Sequence, residues 1–454
     1  MKKIVIIGGC AAGPKAASKC KRINPENMVE MYTKENMVSY SACGLPYYIG
    51  GIVPNINNLI VRTPDEFKKM GIDVFLNHEC TKINPDKKTV IFNNEKEVNY
   101  DELILTIGSS PFIPNIKNYD LKNVFNLKVI QDGINIKTLA QTSKSAVLIG
   151  AGYIALELLE AFIRNNIKTT VIEKSSRIMP VFDDEISIEI MNEIKNNSKG
   201  LVEFINNDEV VEFLGKENFE GVITKNGAKI EADFCVVAVG VKPNADIARD
   251  AGIETGVTGA IKVDNKMRTN IENIWAAGDC TENIFIPTKQ SVYRALGTIA
   301  YKQGRVAAIN ANSDFTGISE QFDGILGSMV TKFFDYGISM TGLSENQAKE
   351  LTNYFNISPI SAMVEEYDKA GYMPKIGTLK VKLTIDKRTG EILGAQAIGK
   401  GDVDKRISVV ASALRANLTI NEFLHLDLPY SPPFSSTIDP LLTAAYKLKQ
   451  MMEE

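Results

Sequence analysis

Cys43 lies in the run Ser39-Tyr40-Ser41-Ala42-Cys43-Gly44-Leu45-Pro46-Tyr47-Tyr48. A cysteine thiolate attacks disulfide and persulfide sulfurs, and it can also be oxidised to a sulfenic acid. Either chemistry raises the question of a resolving partner. The other five cysteines, Cys10, Cys20, Cys80, Cys235 and Cys280, form no CxxC spacing with it, and position 38 is Val38. One thiol without a neighbouring cysteine predicts a redox centre that works through a small-molecule partner. Such a site must depress the thiol pKa, because the thiolate is the nucleophile.

Two further segments have the chemistry of phosphate binding. A dinucleotide pyrophosphate needs backbone N–H donors at a helix N-terminus, and glycine lets the chain approach closely. Lys2-Lys3-Ile4-Val5-Ile6-Ile7 runs into Gly8-Gly9-Cys10-Ala11-Ala12-Gly13, and Ser145-Ala146-Val147-Leu148-Ile149 runs into Gly150-Ala151-Gly152-Tyr153-Ile154-Ala155. Each reads as strand, glycine turn and helix start, which predicts two βαβ dinucleotide-binding units. In the second, Glu173 ends the next strand, 23 residues after Gly150. A carboxylate there accepts hydrogen bonds from an adenosine ribose diol and repels a 2′-phosphate, favouring NADH over NADPH. Lys174 and Arg177 weaken that preference. In the first unit Cys10 replaces the middle glycine. Thr33 takes the place of the ribose acid and can still hydrogen-bond a hydroxyl, without charge assistance.

The remaining elements must carry these turns. The first unit is expected to continue through a helix at about 14–23 and a strand at 29–33, with 100–110 returning to it as strand and turn. The second unit runs from about 113 to 245, with strands at 169–173 and from 234. Residues 273–279 read as a strand ending at Asp279. From about 326 the texture changes: residues 379–385 alternate with period two, as a half-solvated antiparallel strand would, 388–391 turn, and 392–398 pair back. Residues 1–112 with 246–325, 113–245, and 326–454 are the expected domains, in keeping with 454 residues being long for one core.

Composition removes several classes. With 51 basic and 55 acidic residues the net charge is −4, so there is no overall basic footprint for nucleic acid. No stretch approaches the roughly 18 apolar residues of a membrane span. The opening apolar run stops at Gly8, too short for a signal core. Scattered cysteines predict a reducing cytoplasm, not a disulfide framework or a metal site.

The two fingerprints, the Cys43–Tyr48 segment, the TIGSSP turn at 106–111, the GVKPN turn at 240–244 and the AAGD carboxylate at 276–279 occur in one order. That order resembles the pyridine nucleotide–disulfide oxidoreductase family over essentially the full chain. The likeness is to its single-cysteine branch: coenzyme A disulfide reductases, NADH oxidases, NADH peroxidases and coenzyme A persulfide reductases. The resemblance implies an α/β fold of two Rossmann-like domains, for FAD and for NAD(P)H, plus a C-terminal α+β dimerisation domain. For FAD it implies Gly8, Ala11, Ala12, Gly13, Thr33, Lys34, Gly108, Gly297 and Asp279, the last on the ribityl chain. For NAD(P)H it implies Gly150, Gly152, Tyr153, Ile154, Glu173 and Gly240. Dithiol members would carry their second cysteine where Val38 stands.

Local residues choose within the branch. Oxidase and peroxidase members carry a histidine in the first glycine turn, where this chain has Ala11. Coenzyme A-type members lack it and use tyrosines from the other subunit, matched here by Tyr372 and Tyr430; Lys369 replaces a histidine that often precedes the first. Lys15, Lys19, Arg22 and Ser39 match substrate-contacting positions, while Ala42 replaces a polar residue. Lys15, Lys19 and Arg22 also stand at i, i+4 and i+7, one basic helix face of the kind that the 3′-phosphate and pyrophosphate of coenzyme A need.

The expected function is therefore that of a homodimeric FAD enzyme. NADH, or secondarily NADPH, would reduce a low-molecular-weight disulfide or persulfide through Cys43, coenzyme A disulfide first. Tyr372 and Tyr430 of the partner subunit would orient the substrate or protonate the leaving thiolate. Two other readings stay open: an NADH oxidase or peroxidase cycling Cys43 through sulfenic acid, and a flavin-bound redox sensor or electron donor to a protein partner.

Overall fold

The computed structural model describes residues 1–453. The first unit is built on a five-stranded parallel sheet, in the order Ile274–Ala276, Glu102–Leu105, Lys3–Ile7, Met28–Tyr32, Ile72–Phe75. Its central strand is apolar and buried after Lys3 because both faces are covered, as parallel sheets require. Successive side chains point to opposite faces. Ile4 and Ile6 pack with Ala16, Ala17 and Cys20 of the Ala12–Ile23 helix. Val5 and Ile7 face an antiparallel meander through Ile83, Val90 and Val98. The strand Ile274–Ala276 and the helix Gly297–Asn310 return to this unit from beyond the second. That helix crosses the first so closely that a Cβ on Gly304 would lie 2.4 Å from the Ala12 carbonyl oxygen.

The second unit repeats the plan: a parallel sheet in the order Val202–Asn206, Lys168–Glu173, Ser145–Ile149, Phe234–Val237, Val124–Phe125. Ala146 and Leu148 face the Tyr153–Arg164 helix. Val147 and Ile149 face a second meander through Phe213 and Val222. The expected elements are present with small shifts. The first helix starts at Ala12 and not at 14, since proline is tolerated in a first turn, where its missing N–H has no partner to lose. The apolar run from 234 splits into Phe234–Val237 and Val241–Pro243, because Gly240 turns the chain at φ 109°.

The C-terminal unit is a five-stranded antiparallel sheet, ordered Met329–Phe333, Tyr336–Gly342, Ile392–Gly399, Thr378–Asp386, Pro359–Tyr367. Helices Val403–Arg415 and Pro440–Glu453 cover one face through Ile407, Val410, Leu441 and Leu448. The other face meets the second unit, where Lys382 reaches Asp183 at 3.0 Å. Among the described residues no helix is long and apolar enough to cross a membrane.

Candidate functional site

A cavity of about 2150 Å³ opens at the C-terminal ends of both parallel sheets, where open α/β sheets bind ligands. It exceeds the roughly 300–1,000 Å³ of an ordinary small-molecule pocket and has room for two dinucleotides. Gly8, Gly9, Cys10, Ala11 and Ala12 line it on one side, and Gly150, Ala151, Gly152, Tyr153 and Ile154 on the other. A Cβ on Gly8 would stand 2.0 Å from the Thr106 carbonyl oxygen, and one on Gly150 2.6 Å from that of Ala238. Both glycines also have positive φ, 112° and 94°, so each turn tolerates only glycine there. Gly13 departs from expectation: it does not line the cavity. Its hydrogen lies where a Cβ would be 1.9 Å from the Gly8 carbonyl oxygen, so it seats the helix against the turn.

Most of the other expected cofactor residues reach the cavity: Thr33, Lys34, Gly108, Asp279 and Gly297 by the first unit, Glu173 and Gly240 by the second. Thr33 Oγ1 accepts from the Glu35 N–H at 3.3 Å, which leaves its hydroxyl hydrogen free to donate. Asp279 accepts from Ser109 Oγ at 3.1 Å and faces Lys128 Nζ at 3.4 Å. Glu173 accepts the Ala151 N–H at 2.8 Å and the Ser175 N–H at 2.7 Å, one on each oxygen. A carboxylate has about four acceptor positions, so both oxygens can still receive a ribose hydroxyl. These turns and side chains fit FAD at the first turn and a nicotinamide dinucleotide at the second.

Cys43 lines the same cavity, in a single turn Ala42–Gly44 that leads into helix Leu45–Ile49. Of the six free cysteines it alone is exposed. The expected depression of its pKa is not what the chain provides. Desolvation by the cavity walls pushes the thiol up, Glu157 and Asp279 add to that, and Lys128 opposes them. Lys128 does not offset the burial, and its ammonium also meets Ser109 Oγ at 2.8 Å and Asp279 at 3.4 Å. Lys128 and Glu157 belong to no sequence motif, and only the fold brings them to Cys43. The second lining thiol, Cys10, is pushed up to about 12 by burial, which suits a packing role. His78 is half-buried and lines the cavity, its Nδ1 2.7 Å from the Leu76 carbonyl oxygen.

The basic helix face meets the cavity only in part. Lys15, Ser18 and Arg22 line the cavity, and Lys19 does not. At about 100° per residue, Arg22 falls about 20° to one side of Lys15 and Ser18 about 60° to that same side, whereas Lys19 lies about 40° to the other. The cavity takes the Ser18 side. Two residues not singled out in the sequence join them. Arg62 Nη1 donates to Ser18 Oγ at 3.3 Å, and Tyr301 hydrogen-bonds Lys15, whose ammonium sits 3.9 Å from the ring centroid. Ser39 is buried at φ 53°, its N–H on the Gly9 carbonyl at 2.7 Å and its own carbonyl accepting the Val61 N–H at 2.7 Å. The backbone bonds thus hold a non-glycine residue in the left-handed region beside the turn.

Tyr372 and Tyr430 are brought to each other but not to the Cys43 of their own chain. Neither lines the cavity. The backbone ties their segments together through the Ala370 N–H and the Pro432 carbonyl, 3.2 Å apart. Desolvation, and then the Tyr430 hydroxyl beside it, raise the Tyr372 pKa. Both rings are exposed, as are Phe434, Ile438 and Tyr446 of the same unit. Within one chain the expected site is therefore incomplete.

Comparison with known proteins agrees with this geometry. The family model described as pyridine nucleotide-disulphide oxidoreductase matches residues 2–304, and that of its dimerisation domain matches 328–441. An NAD(P)H sulfur oxidoreductase (CoA-dependent) of Pyrococcus furiosus is 35% identical, over 99% of this chain and 99% of its own. A coenzyme A disulfide reductase of Staphylococcus aureus is 30% identical, over 99% of this chain and 100% of its own. The solved NAD-dependent persulfide reductase from A. fulgidus superposes with a TM-score of 0.94 at 34% identity, covering 99% of this chain and 84% of that one.

Proposed function

This chain belongs to the pyridine nucleotide-disulphide oxidoreductase family, and on that footing we propose that it reduces a coenzyme A-containing disulfide or persulfide with NADH. The observation that carries the reading is one exposed thiol, Cys43, in the cavity into which both glycine turns and a pair of arginines open. Gly8, Ala11, Ala12, Thr33, Lys34, Gly108, Asp279 and Gly297 would hold FAD, with Gly13 supporting the turn. Gly150, Gly152, Tyr153, Ile154, Glu173 and Gly240 would hold the nicotinamide nucleotide. Bound FAD supplies two-electron transfer between a nicotinamide and the Cys43 sulfur. The division into residues 1–112 with 246–325, 113–245 and 326–454 goes with this assignment.

The chain's own residues then have distinct tasks. The Cys43 thiolate attacks one sulfur of the substrate, breaking its S–S bond, releasing one thiolate and leaving a mixed disulfide or persulfide on Cys43. Two electrons reopen that bond, restoring the Cys43 thiolate and freeing the second thiol. One NADH and one proton thus convert one disulfide into two thiols. Lys128 is the side-chain cation that favours the Cys43 anion. The partner subunit's Tyr372 and the partner subunit's Tyr430 would orient the substrate and donate a hydrogen bond to the leaving sulfur. The exposed apolar face around Phe434 and Ile438 supports a homodimer, and the raised Tyr372 pKa keeps that hydroxyl protonated as a donor.

The preference for NADH is supported by the cations near Glu173. Lys174 pairs with Glu209 at 3.1 Å, and Arg177 pairs with Asp184. Each cation already has an acid beside it, and Glu173, which lines the cavity, would accept a ribose diol.

Mass spectrometry of the purified protein tests the class of acceptor. A coenzyme A-sized adduct on Cys43 that NADH removes is the expected result. An oxygen-only adduct, with oxygen consumption and no disulfide turnover, would move the reading to an NADH oxidase. The basic face makes a separate prediction. Arg22→Ala and Arg62→Ala should each raise the KM for coenzyme A disulfide about tenfold, the worth of one charge-assisted hydrogen bond. Lys19→Ala should leave it unchanged, and none of the three should move the KM for NADH.

A further inference from the structure

Three carboxylates gather where the second nucleotide's adenosine end would lie: Glu173, Asp208 and Glu209 all line the cavity, together with Lys174 and Ser175. Their arrangement is fixed by backbone. Strands Lys168–Glu173 and Val202–Asn206 run parallel, with Glu173 opposite Asn206. Beyond the strand ends the Asn207 N–H bonds the Ser175 carbonyl at 3.1 Å, and the Asp208 N–H bonds the Glu173 carbonyl at 3.2 Å. Asp208 Oδ1 then accepts from the Glu209 N–H at 2.9 Å and from the Asn226 N–H at 3.2 Å. Glu209 is thereby seated beside Glu173, on the same wall.

Each oxygen of its carboxylate meets a lysine. One oxygen meets Lys174 Nζ at 3.1 Å, and the other meets Lys225 Nζ at 2.9 Å. Lys225 approaches from the turn between Gly221–Thr224 and Lys229–Glu231, outside the cavity lining. Lys174 is the residue directly after Glu173 and lines the cavity with it, so it is the cation that a phosphate on the ribose 2′ position would meet beside that acid. Arg177, the other basic residue of this loop, is held by Asp184 and by the Pro180 carbonyl. The loop therefore contains the charges that would recognise a 2′-phosphate, each neutralised by an acid.

We propose that Glu209 is the residue that sets the choice between NADH and NADPH, by pairing with Lys174 and so keeping it from a 2′-phosphate. The proposal rests on the reading of the second unit as the nicotinamide nucleotide site. Exposed ion pairs of this kind contribute little to stability. Their effect here is on where charge stands when a dianionic phosphate arrives. Glu173 alone disfavours that phosphate by repulsion. Glu209 additionally withholds the cation that could compensate, so the two acids act by different means.

The test compares Glu209→Gln with the parent, using NADH and NADPH in steady-state turnover. Equilibrium titration with 2′-phosphoadenosine 5′-phosphate supplies a readout independent of turnover. The ratio of KM for NADPH to KM for NADH should fall roughly tenfold, as removing one charge and freeing another within a few ångströms allows. The dissociation constant of 2′-phosphoadenosine 5′-phosphate should fall in parallel. Adding Lys174→Met to Glu209→Gln should cancel most of that gain. An unchanged ratio in Glu209→Gln, or a gain that survives Lys174→Met, would overturn the proposal. Glu173→Gln separates this from failure of the underlying reading: it should weaken NADH binding whatever Glu209 does. If Glu173→Gln alters the binding of neither nucleotide, the site assignment itself falls.

Discussion

Cys43→Ser should lower NADH-dependent turnover of coenzyme A disulfide by at least about a thousandfold, the scale seen when a covalent nucleophile is removed. Serine keeps the shape of the side chain but cannot form a disulfide with substrate, and its hydroxyl is not ionised at neutral pH. The residue is exposed at a one-turn helix, so the change should move stability by no more than about 0.5 kcal/mol. FAD content should match the parent. Turnover above a tenth of the parent's would sink the role given to Cys43. The same residue carries a pH prediction. Its thiol is pushed up by burial and by two acids, and the thiolate is the reactive form. Alkylation of the FAD-free protein should therefore accelerate about tenfold per pH unit through neutrality and into the alkaline thiol range. A plateau reached below pH 7 would show that the chain alone stabilises the anion.

That direction was not legible in the sequence, and the reason is physical. Residue types show that a thiolate is needed; the number of acids and cations facing the sulfur is decided by tertiary packing. Glu157 comes from the second unit's helix and Lys128 from the segment before it, both far from Cys43 along the chain. The fold was legible because its signals are local and repeated. Two apolar strands enter glycine turns, an acid ends a neighbouring strand, and a period-two run marks the third unit.

The basic face shows where such reading stops. The i, i+4, i+7 spacing places Lys15, Lys19 and Arg22 within an arc of about 60°. It cannot say which edge of that arc meets the cavity. That edge is chosen by Arg62, whose loop lies against Ser18, and by Tyr301 on the helix crossing the first. Both partners are distant in sequence and match no periodicity. Tyr372 and Tyr430 illustrate a different limit. Their pairing emerges within the chain, but neither lines the cavity that holds its own Cys43, and the sequence carries no signal for that separation.

Lys382→Met should lower the apparent unfolding midpoint by about 5 °C or more at fixed protein and FAD concentration, since breaking a buried ion pair costs roughly 3–5 kcal/mol. The Lys382 side chain is 4% exposed and that of Asp183 1%. Lys382 also meets Glu345 at 2.7 Å and Glu185 at 3.2 Å. Asp183 belongs to the second unit yet accepts the N–H groups of Glu345 and Asn346 in the C-terminal unit, both at 3.0 Å, and Gln396 hydrogen-bonds it from both sides of its amide. Methionine preserves the volume but leaves Asp183 without a cation, facing Glu345, which keeps only the exposed Lys349 at 2.6 Å. Burial works to raise the Asp183 pKa, but the Asn346 N–H and Lys382 overcome it and hold the carboxyl below its usual range. Burial works to lower Lys382, and Glu345 and Asp183 overcome that in turn. The Asp183 contribution is thus complete above its unfolded pKa, about 3.9, and lost as pH falls through the lower folded value. The Lys382 contribution is complete below about 10.4 and lost as pH rises through the higher folded value. Between those limits the parent gains fully from the pair. In Lys382→Met the two acids lose their cation and protonate more readily, so the penalty should be largest at neutral pH and shrink toward pH 4.5. Glu345→Gln added to Lys382→Met should restore part of the midpoint, because it removes one of the two facing charges. A neutral-pH midpoint unchanged by Lys382→Met would mean that this buried ion pair adds nothing net to the contact between the second and C-terminal units.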